Sequence, residues 1–525
     1  MEINDTEKAV PLQQQQQQAP HQPRRSKYSY SLRLLLGTFL SIMLIMATFT
    51  THVTTPTLFN LTKSFKEVSR RGNRCMTKLI SHQGILKGGI AQYSPQYDVN
   101  WGVPNELPQS CSVDMVTILE RHGARYPDHK HREKMIATVD KLKHVKKPSK
   151  NSNYKFVHKY DMRQKLGEEE LVWMGRQQAY NSGRRFYEQY EDLIQRSLPP
   201  FYRAPSSPRV IESAQLFHLG LNNQSIHEPY DDLDVVLPEG KAYNNTLDIS
   251  NCPLASNHST TIGDDVSDVY AALWTPQLAK MWNSYFPGAD LEHNDIVNLF
   301  HTCAFDTVAD NGTISEWCKM YSLEDFQRYS YYLILQKYYD SSYGHPLGRA
   351  RGIGYVNELL ARLTSSPVVD STSTNQTIDA NPEQFPIPPT DRNDLGHRVF
   401  VDFSHDTSMV NIISALGLAK PAGNRHLPFL IDRKQSTPNY LFDISKYVPF
   451  AGRIVFEKVH CGDSMGEYEE DEDYVRIKIN EGVYPLKFSD CGSLGQEKGL
   501  CRLSDFVESQ RWSMNGGNWD ECYED

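Results

Sequence analysis

The most hydrophobic stretch of the chain is Leu34 to Phe49 (LLLGTFLSIMLIMATF), within a segment that has no Asp, Glu, Lys or Arg between Arg33 and Lys63. As a helix, such a segment reaches across the roughly 30 Å hydrocarbon core of a bilayer. Beyond it the apolar positions recur on shorter periods. Val113–Leu119 (VDMVTIL) and Arg398–Phe403 (RVFVDF) are β-rich runs, and Arg453–Val459 is a third. From about Asp128 to Asp379 the spacing is mostly helical, as in Leu171–Leu193, and Met409–Leu418 also reads as a helix. Asn244–Asp264 and Ser365–Asp391, rich in Ser, Thr, Asn and Pro, read as surface loops. The first β-rich run ends at Glu120-Arg121-His122 and the second at Ser404-His405-Asp406. Sheets of α/β proteins place their chemistry beyond the carboxyl ends of strands, where both polar triplets stand.

The N-terminal pattern predicts a separate organisation. Residues 1–33, with glutamines from Gln13 to Gln18 and basic Arg24, Arg25, Lys27 and Arg33, read as a disordered cytosolic tail. Basic residues on that flank orient residues 34–58 as a signal anchor, giving a single-pass type II protein with its catalytic part luminal or extracellular. The alternative is secretion after cleavage of a signal peptide. Residues 59–110 then read as a stalk and lead-in, and 111–525 as the catalytic domain. Glycosylation sequons at Asn60, Asn223, Asn244, Asn257, Asn311 and Asn375 all follow the apolar segment. None of the nine cysteines lies in the tail, as pairing in an oxidising compartment requires. No CxxC pair or zinc-like Cys/His spacing occurs, so no metal site is expected.

Net charge is −9, which argues against a nucleic-acid partner but not against an anionic small molecule held by a local field. The candidate chemistry is concentrated in RHGARYP, Arg121–Pro127. A neutral imidazole attacks phosphorus well, and guanidinium forks such as those of Arg121 and Arg125 match phosphate oxygens. Two cations beside His122 disfavour its protonated form. Gly123 lets backbone approach the anion without a Cβ. Five fixed positions arise by chance in a chain this long on the order of once in several thousand cases. Taken alone, the cluster is also consistent with a solvated basic turn. His405-Asp406 alone is consistent with a helix N-cap pair.

RHGARYP is the signature of the histidine acid phosphatases, and the chain resembles their fungal phytase branch from about Cys75 to Cys522. Further blocks carry the resemblance: CAFDTVA (Cys303–Ala309), KYY (Lys337–Tyr339), HPLGRARGIGYVNELLARLT (His345–Thr364), FSHDTSM (Phe403–Met409), EKVHC (Glu457–Cys461) and GGNWDEC (Gly516–Cys522). It implies a histidine phosphatase-like α/β fold, with a mixed sheet carrying both catalytic loops and a mostly helical lobe inserted at about 130–390. It implies that His122 is the nucleophile forming a phosphohistidine and Asp406 the proton donor to the leaving alcohol. Arg121, Arg125, His405 and, in SSPRVIESA, Arg209 rather than Arg203 would bind the phosphoryl group, with no cofactor. It pairs Cys111 with Cys461, Cys252 with Cys522, Cys303 with Cys318, and Cys491 with Cys501, leaving Cys75 over. Lys130, Lys134 and Lys337 are candidates for a cationic substrate rim, although Lys130–Lys147 reads equally as a solvated face. The expected substrate is a small phosphate ester, with inositol phosphates foremost. A broad acid phosphatase, a phosphate-transferring mutase and a degenerate membrane-anchored binding protein are the alternatives. His218, His227 and His345 read as structural.

Overall fold

The computed structural model describes residues 99–145, 152–229, 232–255, 261–421, 425–430, 442–462 and 472–523. The expected tail, the segment 34–58, Cys75, Asn60 and Asn257 lie outside the described residues. No helix among the described residues is long and apolar enough to cross a membrane.

A mixed sheet organises the chain. Its strands are β1 (Cys111–Arg121), β2 (Phe201–Pro205), β3 (Val235–Leu237), β4 (Val399–Ser404), β5 (Arg453–Cys461), β6 (Glu472–Ile479), β7 (Gly482–Val483) and β8 (Leu500–Arg502), in the order β3-β2-β4-β1-β5-β6-β7 with β8 also on β6. β3, β2, β4 and β1 are mutually parallel, whereas β5 to β8 add antiparallel strands. β1 is buried along most of its length because it lies mid-sheet, and its side chains alternate between two cores. Val116 and Ile118 face one hydrophobic cluster, Met115 and Leu119 the other.

The longer helices are α1 (His129–Lys143), α2 (Trp173–Gln195), α3 (Pro208–Leu221), α4 (Ile262–Tyr285), α5 (His293–Ala309), α6 (Leu323–Ser341), α7 (Ile353–Leu363) and α8 (Asp406–Ala415). Phe186 and Tyr190 of α2 and Val210 and Phe217 of α3 cover the Val116–Ile118 face of the sheet. Residues of α1 and α4 to α8 pack into the larger cluster on the other face. The stretch 130–390 is therefore not one uninterrupted helical insertion. The chain returns to the sheet at β2 and β3, and α2 and α3 belong to the sheet's own flank. Both short strands lack the length that makes a pattern stand out.

Three local expectations shift. α8 begins at Asp406, not Met409, since the first turn of a helix after a strand is polar. The loop expected to Asp264 ends at Thr261, which caps α4 by accepting from Asp264 N–H. The end of the expected stalk packs on the sheet edge. Trp101 donates to the Ile479 carbonyl at 3.2 Å, and the Asn105 side-chain oxygen accepts from Val483 N–H at 3.0 Å.

Four disulfides join Cys111 to Cys461, Cys252 to Cys522, Cys303 to Cys318 and Cys491 to Cys501. The first links directly opposed residues of β1 and β5.

Under the parallel strands lies a fully buried charge network. Asp402 on β4 accepts from Arg203 on β2 at 2.8 and 3.1 Å and from Arg362 on α7 at 2.8 Å, while Glu358 takes a further Arg203 hydrogen bond at 2.7 Å. Arg203, excluded above from phosphate binding, is consumed here. Burial would raise the Asp402 carboxyl, but the two arginines outweigh it and pull it down to about 2. Its contribution to stability, about 2 kcal/mol, is thus complete above pH ~4 and lost as pH falls towards ~2. Asp402→Asn should cost about 3–5 kcal/mol in denaturant unfolding near neutral pH, because buried Arg362 loses its paired carboxylate and buried Arg203 one of its two. It should also flatten the stability decline between pH ~4 and ~2.

Candidate active site

Register places the two polar triplets together. Parallel pairing sets Arg121 opposite Ser404, so the residues that follow, His122 and His405, leave adjacent strands on the same edge. Their rings meet edge to face, 5.6 Å between centroids. β2 and β3 end on that edge as well, delivering Arg209 through the first turn of α3 and Glu239 through the loop after Leu237. Four parallel strands supply one pocket from their carboxyl ends.

His122 is buried, and its Nδ1 lies 2.9 Å from the Gly123 carbonyl. A carbonyl only accepts, so Nδ1 carries the proton and Nε2 presents its lone pair. Burial first, then Arg121, Arg125, His405 and Arg209, hold its pKa well below the ordinary histidine value. The imidazole is neutral through the mildly acidic range.

Arg121 is fixed by the Val448 carbonyl at 2.7 Å, by Asp406 at 3.3 Å and by the Phe450 ring beneath its guanidinium. Arg125 donates to the Tyr126 carbonyl at 2.7 Å, and Arg209 reaches Glu169 at 3.3 Å. Arg125 and Arg209 each keep a buried Nε–H with no acceptor among the described residues, a pair of orphan donors suited to an incoming anion. Asp406 is the first residue of α8 and pairs with Arg121 and, at 3.1 Å, with Lys337 of α6. The N-cap position is His405, whose side chain makes no cap hydrogen bond; its Nε2 lies 2.9 Å from Glu239. Asp406 Oδ1 also accepts from Thr407 N–H at 2.9 Å, so the carboxylate serves the helix start as well as meeting Arg121 and Lys337. Burial would raise Asp406, but Arg121 and Lys337 outweigh it and hold the carboxyl well below its ordinary range.

A cavity of about 240 Å³ is lined by Arg121, Arg125, Lys337 and Asp406 together with His131 and His301. Lys130 and Lys134 are not among its lining residues; both are exposed on α1. Asp128, the N-cap of α1, accepts from the His131 backbone N–H at 3.0 Å and lies 2.7 Å from its ring, and both residues line the cavity. His131, Asp128, His301 and Glu239 were absent from the sequence-derived site. Glu239 could have been sought after VVL, a short β run ending in a Pro-Glu-Gly loop.

Gly123 has a reason other than ligand approach. A Cβ there would lie 2.2 Å from the Gly175 carbonyl at the start of α2, and one on Gly175 would lie 1.9 Å from that of Ala124. The two glycines let α2 press the catalytic loop into place.

A mixed α/β sheet with this edge defines a phosphate-ester hydrolase, and the chain belongs to the histidine phosphatase superfamily, branch 2, whose family model matches residues 112–480. It is a phytase-like phosphoric monoester hydrolase. It is 36% identical over 446 residues to Phytase A of Aspergillus fumigatus, covering 82% of this chain and 90% of that one. Phytase A of Aspergillus terreus is 35% identical over 470 residues, with coverages of 86% and 92%. The crystal structure of the phytase from D. castellii shares the fold, with a TM-score of 0.62 at 22% identity over 83% of this chain and 87% of that one.

Gly175→Ala changes a residue far from the motif in sequence. It should lower kcat at least about tenfold and depress Tm, since relieving a backbone clash moves the catalytic loop. Steady-state kinetics beside a thermal melt checks both.

Proposed function

We propose that the chain is an exported phytase-like acid phosphatase acting on myo-inositol hexakisphosphate through a phosphohistidine on His122. One observation carries the reading: a neutral, Nε2-presenting histidine is ringed by Arg121, Arg125, Arg209 and His405, with Asp406 paired to Arg121 beside it. The phosphoryl group of the ester would sit among the arginines, and Nε2 would attack phosphorus in line while the ester oxygen departs. Preorganised cations meet the charge on the equatorial oxygens, which is where such a transition state needs them.

Asp406 must carry a proton to donate it, yet Arg121 and Lys337 hold it ionised in the free enzyme. A bound phosphate answers this. It draws on both cations and places negative charge beside the carboxylate, raising the affinity of Asp406 for a proton. A monoanionic ester supplies that proton on arrival. Water, deprotonated by the same carboxylate, then opens the phosphoenzyme.

Relatives named Phytase A align over most of the chain, and Lys337 adds a cation to the pocket wall, both favouring an inositol phosphate. Gln336 beside Lys337 favours the second reading, a broad acid phosphatase. The disulfides support residence in an oxidising compartment. The proposed organisation is tail 1–33, anchor or signal segment 34–58, lead-in 59–110 and catalytic domain 111–525. Asn223, Asn244 and Asn311 are exposed and Asn375 is half-buried, which leaves these sequons within reach of glycosylation.

His122→Ala should abolish phosphate release while leaving Tm nearly unchanged. Asp406→Asn should slow alkyl phosphates about 10²–10⁴-fold and p-nitrophenyl phosphate far less, because only the poor leaving group needs the proton. Normal turnover by folded His122→Ala protein would remove the mechanism. Because the His122 pKa is depressed, kcat/KM should not fall between pH 7 and 5; a decline centred near 6.5 would mean an ordinary, exposed imidazole. Inositol hexakisphosphate and p-nitrophenyl phosphate compared at pH ~5 decide between the two substrate readings.

A further inference from the structure

A second cavity, of about 490 Å³, adjoins the catalytic pocket and shares Lys337 and Thr407 with it. Lys337 Nζ stands at this boundary, 2.6 Å from Thr407 Oγ1 and 3.1 Å from Asp406. Behind it the walls carry Asp340, His345 and Arg351.

Arg351 is buried, with 7% of its surface exposed. Its NH2 donates to the Asp340 carbonyl at 2.6 Å and meets the Ser341 hydroxyl at 3.4 Å, while its Nε–H is buried without an acceptor among the described residues. Burial lowers its pKa to about 10, against a partly offsetting Asp340, so it stays cationic at any working pH. A buried guanidinium with an orphan donor gains from a counter-anion. His345 Nδ1 accepts from Leu347 N–H at 3.0 Å, which leaves the proton of the neutral ring on Nε2 as a donor. Burial, then Arg351, pushes His345 down to about 4, so that donor persists at mildly acidic pH. Asp340 opposes an anion, but its carboxylate is occupied at the start of α4, where Oδ1 accepts from Gly263 N–H at 2.9 Å and Thr261 donates a second hydrogen bond. Two cations and a neutral donor thus stand against two carboxylates, Asp340 and, beyond Lys337, Asp406, both already engaged.

We propose that Lys337, His345 and Arg351 form a second anion subsite, which holds a phosphate other than the one being transferred and so selects polyphosphorylated polyols over single phosphomonoesters. The proposal rests on the phosphatase reading above, and Lys337 joins the two subsites by touching both.

Calorimetric titration tests it on the full chain without relying on turnover, using inositol hexakissulfate and inorganic phosphate as probes. Arg351→Gln and His345→Ala should each weaken hexakissulfate binding about tenfold while shifting the phosphate Kd much less, because a lone phosphate fills the catalytic pocket first. Arg351 also ties the end of α6, so the half-buried His345 supplies the reading if Arg351→Gln does not fold. Equal losses for both probes, or no loss for either, would overturn the subsite. Failure of the wild type to release phosphate from either ester would instead defeat the catalytic reading and leave this binding result standing on its own.

Discussion

Two strands separated by nearly three hundred residues, β1 and β4, lie side by side and parallel, with Arg121 opposite Ser404. Because the side-chain period of a strand is two, a shift of one residue would turn the alternating faces of β1 inside out. It would also carry His122 away from His405. The register is thus held by both hydrophobic cores at once, and the catalytic geometry inherits that strictness without a fold of its own. β2 and β3 continue the same parallel series, so Arg209 and Glu239 arrive by the same rule.

Holding parallel strands with polar interiors takes specific countermeasures. Asp402 sits in β4 one turn of the pleat before the active edge, and its charge is met by Arg203 and Arg362 beneath the sheet. Phe385 and Phe400 cover those guanidinium groups with aromatic faces. On the other side, the Gly123–Gly175 approach lets α2 reach the loop backbone directly, and Ala124 N–H donates to Gln178 of that helix at 2.9 Å. The loop that carries His122 is thus held against α2 before any ligand arrives.

Electrostatically the free site is loaded in one direction. Four cationic or potentially cationic side chains surround a histidine that burial and those neighbours keep neutral, and the Asp406 carboxylate beside them is held ionised. Such a pocket is incomplete without an anion. In the mechanism proposed above, binding of phosphate both relieves the repulsion among arginines and readies Asp406 for its proton. Recognition and acid catalysis are in this sense a single charge rearrangement.

The reactive residues were legible from the chain alone because RHGARYP and SHDTSM are contiguous: each places its chemistry within a few residues of a β-rich run, and local pattern records that. Their order and the type of sheet were legible through family resemblance. Glu239 and His131 were not, since each acquires a role only through a neighbour distant in sequence or through the direction of a helical turn. Composition marks Lys130–Lys147 as a basic segment, but only the pitch of α1 decides which of its residues line the cavity, as His131 does. Gly123 was chosen correctly and for a different reason, because its closest obstacle, Gly175, is supplied by tertiary packing. The sequence by itself determined which groups could react and in what strand context. The tertiary structure decided which of them meet, how each proton is held and which cations face the substrate, because those depend on distances between segments that no local pattern encodes.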